Sequence, residues 1–184
     1  FIALCVPDYA AAADWERTGR CFEIVLDASL MGGGAALFQL DAELGKPRPL
    51  AMCSRSFTTA QQAWPAWQRE LWMMKEAVLE FAPICAGYRT LAWTDHRNNT
   101  SVSMIPPEEC GEKVIRWWGI ILQSGVIVCF LAGKVNPSDG LSRNPRDRDA
   151  LLARRAWLLK NPSELAAASK PAAVADALTL EPLA

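Results

Sequence analysis

Histidine is nearly missing from this 184-residue chain, which holds His96 alone. Zinc sites draw on several His and Cys ligands at short spacing, and the six cysteines (Cys5, Cys21, Cys53, Cys85, Cys110 and Cys129) include no C-x-x-C pair. Zinc and a disulfide scaffold are both disfavoured on that count. Several of these cysteines lie in apolar runs, where a free thiol behaves as a small hydrophobe, so a reducing, intracellular setting is expected. Charge of one sign is also lacking. With 19 basic and 20 acidic residues the formal net charge is -1, so any binding of a polyanion has to be local. The longest apolar runs, such as 126–132, fall far short of the roughly 20 residues that a membrane-spanning helix needs, and a soluble protein with no membrane partner is expected. The chain opens at Phe1 with neither a basic n-region nor a small-residue cleavage site, and reads as part of something longer.

What is present is ordinary globular material, 51% hydrophobic and 21% charged, enough for one domain with flanking segments. Residues 22–27 (FEIVLD) mix β-branched and apolar types as a strand does, and Gly32, Gly33 and Gly34 offer a turn before a second strand from Ala35. A third strand is expected from Leu50, after a turn over 41–49 rich in glycine, proline and acids. The period then changes. Trp67, Leu71, Met74, Val78 and Phe81 recur at three- and four-residue steps, which predicts an amphipathic helix with Pro65 in its first turn and Thr58 and Thr59 capping its approach. A short strand over 91–95 follows, then a helix over 110–123 with Val114, Trp117 and Ile121 inward. Gly125 ends it before a fully apolar strand over 126–131. The order predicts an α/β fold with a mixed five-stranded sheet, its first three strands antiparallel, and helices packed on it. Residues 1–20 read as a connector, 21–145 as the domain, and 146–184 as an Ala-rich extension, helical over 151–160 and loose beyond.

Four acids fall at element ends that such a fold could gather: Asp27, Glu70, Asp95 and Asp139. Glu70 lies between Trp67 and Met74, on or beside the stripe that should face the core, and a buried carboxylate needs a partner. Divalent metal would serve several carboxylates at once, and hard oxygen ligands select magnesium or manganese. Each acid also has a plain reading as a turn former, a boundary residue or, for Asp139, a group at a helix start; the residues alone leave both open.

The surrounding segments narrow the choice. Leu26-Asp-Ala-Ser with the following glycines, Cys53-Ser-Arg-Ser-Phe, Trp64 with Gln68-Arg-Glu-Leu, Thr94-Asp-His, and the run from Phe130 through Gly-Lys-Val-Asn-Pro-Ser-Asp-Gly-Leu-Ser to Arg143 stand in one order over about 145 residues. Together they resemble the ribonuclease H domain of Ty3/gypsy-type retrotransposon reverse transcriptases, and Pro7-Asp8 fits the segment joining polymerase to that domain. The resemblance implies a ribonuclease H-like fold that cuts the RNA strand of an RNA–DNA hybrid. It implies two Mg2+ or Mn2+ ions held by Asp27, Glu70, Asp95 and Asp139, water attacking phosphorus, and products ending in 3′-hydroxyl and 5′-phosphate. The implied partners are the hybrid, an upstream reverse transcriptase and a downstream integrase segment. Ser29, Arg55, His96, Arg97, Asn136, Ser142 and Arg143, with Lys134, are the residues expected near substrate, although His96 reads first as a structural imidazole. The sequence departs from the family at Asp95-His-Arg-Asn-Asn, where Asp-His-Lys-x-Leu is usual, and it shows no cluster of basic residues. The alternative is a decayed or host-adopted copy that keeps the fold and binds without cutting.

Overall fold

A computed structural model describes residues 4–131. Two short helices, α1 (Tyr9–Ala13) and α2 (Trp15–Thr18), lead into strands β1 (Phe22–Ala28), β2 (Gly32–Leu40) and β3 (Pro47–Ser56). Helices α3 (Thr59–Gln62) and α4 (Ala66–Cys85) follow, then β4 (Thr90–Thr94), 3-10 turns at Arg97–Asn99 and Val102–Met104, α5 (Glu112–Gln123) and β5 (Ile127–Phe130). The sheet order is β3-β2-β1-β4-β5. Its first three strands form an antiparallel meander, and β4 and β5 join parallel to β1, which is the mixed sheet the sequence predicts.

The apolar stripe of α4 explains the packing. Trp67, Leu71, Met74, Val78 and Phe81 all lie buried against Phe22, Ile24 and Leu26 of β1, Leu37 of β2 and Ala92 of β4. Leu71 is fully buried, and truncating such a residue to alanine costs about 2–5 kcal/mol. The opposite face carries Val25, Leu91, Trp93, Ile127, Cys129 and Leu131, also buried. With both faces covered, β4 is buried at all five positions and β5 at its first three, which accounts for the unbroken apolar reading of the 126–131 strand. On α5 the inward residues are Val114, Trp118 and Ile121, whereas Trp117 is half-buried and not fully inward as expected. Either tryptophan completes a three–four spacing from Val114 to Ile121, so periodicity alone does not choose between them.

Thr58 caps α3, accepting from the Gln61 N–H in a capping box, and Pro65 is the N-cap residue of α4. The stretch expected as a connector is packed down from Asp8 onward. Asp8 caps α1 and pairs with Arg20 at 2.7 Å, while buried Gln39 on β2 accepts from the Asp8 N–H and donates to the Asp8 and Arg20 carbonyls.

The three glycines are not the turn. They open β2, and the reversal is made by 29–31, where the Ser29 hydroxyl donates to the Gly32 carbonyl and accepts from the Met31 and Gly32 N–H groups. Their smallness answers to packing: a Cβ on Gly32 would stand 2.6 Å from the Arg55 carbonyl oxygen, and one on Gly33 would stand 2.7 Å from Met73 Cγ, whereas Gly34 has only the Cys53 carbonyl at 3.7 Å. Gly32→Ala and Gly33→Ala should each destabilise by about 1–3 kcal/mol through overpacking, and Gly34→Ala by under about 0.5 kcal/mol. Urea unfolding of the three variants checks the order, and equal losses at all three positions would contradict it.

Candidate active site

The C-terminal ends of β1 and β4 lie side by side, because the two strands are parallel neighbours with Val25 beside Trp93. Two residues further on, each strand places an acid at the same level: Asp27 on β1 and Asp95 just past β4, both exposed. Adjacent strands run about 4.8 Å apart, and this edge of parallel strands is where open α/β sheets present chemistry.

Glu70 reaches this pole from α4. It is buried, 4% exposed, and the Thr94 hydroxyl donates to its Oε1 at 2.7 Å while accepting the His96 N–H at 3.2 Å. Burial pushes the Glu70 carboxyl up to about 8; the Thr94 hydrogen bond opposes this, and the Asp95 carboxylate beside it adds to it. A buried carboxyl and an exposed one are thus held together. Among the described residues no three His, Cys, Asp or Glu side chains converge closely enough to hold a metal ion; Glu70 and Asp95 meet, and Asp27 stands on the adjoining strand. Asp139, the fourth expected acid, lies outside the described residues, as do Lys134, Asn136, Ser142 and Arg143.

The other expected residues take varied places. Ser29 spends its hydroxyl on the β1–β2 turn. Arg55 on β3 pairs with Glu80 at 2.7 Å and Glu76 at 3.7 Å on α4. His96 is half-buried and precedes the first 3-10 turn, and Arg97 is exposed with its guanidinium 5.0 Å from the centre of the Phe130 ring.

Sequence reasoning missed three supporting residues. Thr94 was read only as a neighbour of Asp95, yet it holds Glu70. Asn99, fully buried, donates from Nδ2 to the Trp67 carbonyl at 3.0 Å and so ties the loop after Asp95 to α4. It stands where the resembled motif has leucine, and that departure was its only signal. Glu23 is buried on the far face, accepting from Trp93 Nε1 at 3.0 Å; nothing in the strand's alternation marked it.

The family model for the RNase H-like domain found in reverse transcriptase matches residues 18–124. The chain belongs to that family. Among solved structures it is similar to the foamy viral protease-reverse transcriptase in complex with an RNA/DNA hybrid, at 16% identity and a TM-score of 0.51 over 61% of this chain. It is likewise similar to native Prototype Foamy Virus protease-reverse transcriptase, at 17% identity and a TM-score of 0.50 over 61% of this chain. The chain spans 15% of the length of each of those proteins, and the likeness is one of fold. No curated protein matches it.

The raised Glu70 pKa has a consequence for stability with a definite sign. Between its ordinary value of 4.5 and about 8 the folded chain binds a proton that the unfolded chain has lost. That contribution is fully present below 4.5 and lost as pH rises through 8. In chelator, stability should therefore fall relative to Glu70→Gln between pH 5 and 8, by up to about 1 kcal/mol per pH unit. Urea midpoints across that range check it; parallel curves for the two proteins would show that Glu70 titrates normally.

Proposed function

We propose that this chain is an active, metal-dependent endonuclease that cuts the RNA strand of RNA–DNA hybrids, as the ribonuclease H part of a larger reverse transcriptase of Ty3/gypsy type. The observation that carries the reading is the carboxylate pole: Glu70 buried against Asp95 at the end of β4, with Asp27 level with it on β1. A buried carboxyl with no cation among the described ion pairs, beside a second carboxylate, suits a divalent cation, and the all-oxygen donor set suits Mg2+ or Mn2+.

Asp27, Glu70 and Asp95 would hold the ions, two in number, with Asp139 as the fourth ligand. When bound, such ions lower the pKa of an attacking water and stabilise the leaving oxygen. The chain's own residues supply the placement. Thr94 fixes one oxygen of Glu70, the ends of β1 and β4 hold Asp27 and Asp95 rigidly, and Asn99 anchors the loop that follows. A hybrid lying across this edge would meet Arg97 and His96 beside the acids. The polymerase upstream, an integrase segment downstream and an intracellular setting belong to the same reading.

Incubation of the full chain with an end-labelled RNA–DNA hybrid and Mg2+ or Mn2+ should yield RNA fragments ending in 3′-hydroxyl, with the DNA strand intact. Asp27→Asn or Glu70→Gln should lower the rate by at least about a hundredfold. A folded protein that binds the hybrid and does not cut it, with or without Mn2+, would replace this reading with that of a binding module.

A further inference from the structure

A second feature at the same pole lies at the edge of the core, against which Trp117 packs. Trp64, in the corner before α4, and Trp117 on α5 are half-buried with ring centres 5.3 Å apart. The ammonium of exposed Lys113 sits 4.1 Å from the Trp64 ring centre and 5.3 Å from that of Trp117. The corner beneath is pinned, since Arg69 donates to the Trp64 carbonyl at 2.5 Å and to the Gln62 carbonyl at 3.2 Å. Among the described residues Arg17, Arg20, Arg48, Arg55, Lys75 and Arg116 pair with a carboxylate, while Lys46, Arg69, Arg89 and Arg97 show no such ion pair. Lys113 has none there. Two indole faces hold its charge in place without neutralising it, and its outer N–H groups are left to solvent.

Position decides what this cation serves. Glu70 is the fifth residue of α4 and is bonded to the end of β4, so the start of α4 lies at the carboxylate pole. Trp64 stands six residues earlier, no more than about 14 Å from Glu70 between Cα positions, and the Lys113 ammonium lies 4.1 Å from its ring centre. A nucleic-acid strand carries one phosphate per roughly 3.4 Å of helix axis, so a strand cut at the acids brings phosphates several nucleotides away to the neighbourhood of Lys113. Arg97, over Phe130, is a second cation on an aromatic mount at this pole.

We infer that Lys113, held over Trp64 and Trp117, contacts a backbone phosphate of the hybrid outside the cutting site; this rests on the hybrid-cleaving reading above. In a chain with no basic cluster, such single, pre-oriented cations would supply the hold on substrate, because a side chain already fixed loses little freedom on binding.

The test is the affinity of the full chain for a fluorescent RNA–DNA hybrid, read by anisotropy in EDTA from 50 to 300 mM KCl. Lys113→Gln should weaken binding about five- to tenfold at 100 mM KCl and reduce the slope of log affinity against log salt by about 0.9, while Lys113→Arg keeps the parent slope. An unchanged affinity and slope in Lys113→Gln, or a parent chain that binds no hybrid, would overturn the inference. Cleavage by the parent in Mg2+, run in parallel, judges the catalytic reading separately.

Discussion

The hydrogen bond from the Thr94 hydroxyl to the buried carboxyl of Glu70 joins the long helix to the end of the fourth strand. Geometry at the carboxylate pole follows from it. It brings Glu70 to Asp95, and the parallel register of β1 and β4 brings Asp27 level with both. A carboxyl in that place resists ionisation because burial removes water and because Asp95 repels a second negative charge. An arriving cation would reverse both effects, which is the physical link between this electrostatic arrangement and the metal dependence proposed above.

The rest of the described fold serves to hold that joint still. Both faces of β1, β4 and β5 are buried, α4 lies closely enough on β2 that Gly33 has no room for a Cβ beside Met73, and Asn99 closes the loop after Asp95 onto the Trp67 carbonyl. At the other end of β1 the Asp8, Arg20 and Gln39 network packs the incoming chain against the sheet. A tether at that end leaves the carboxylate pole open to a ligand.

Much of this was legible in the sequence, for reasons that differ by element. The α4 stripe and the strand order could be read because burial on one face imposes a period and burial on two faces erases it. Glu70 stood out because it broke that period. The three glycines misled because smallness serves tight packing as well as turning, and only the neighbouring Met73 and the Arg55 carbonyl show which applies. Trp117 and Trp118 could not be separated by spacing. Thr94 and Asn99 were invisible as supports because their partners, Glu70 and the Trp67 carbonyl, are 24 and 32 residues away in the chain. Lys113 gave no signal for the same reason, its aromatic mount joining Trp64 in the corner before α4 to Trp117 on α5.

The central claim is that Glu70 with its neighbouring acids binds divalent cations, and proton release on metal binding tests it most directly. Glu70 keeps its proton up to about 8, so a cation bound there at pH 7 must displace it. Calorimetric titration of Mn2+ into the full chain at pH 7, repeated in buffers of different ionisation enthalpy, should show about one proton released per site filled, and none in Glu70→Gln. Binding without proton release, or the same release in Glu70→Gln, would place the cation elsewhere and contradict the account.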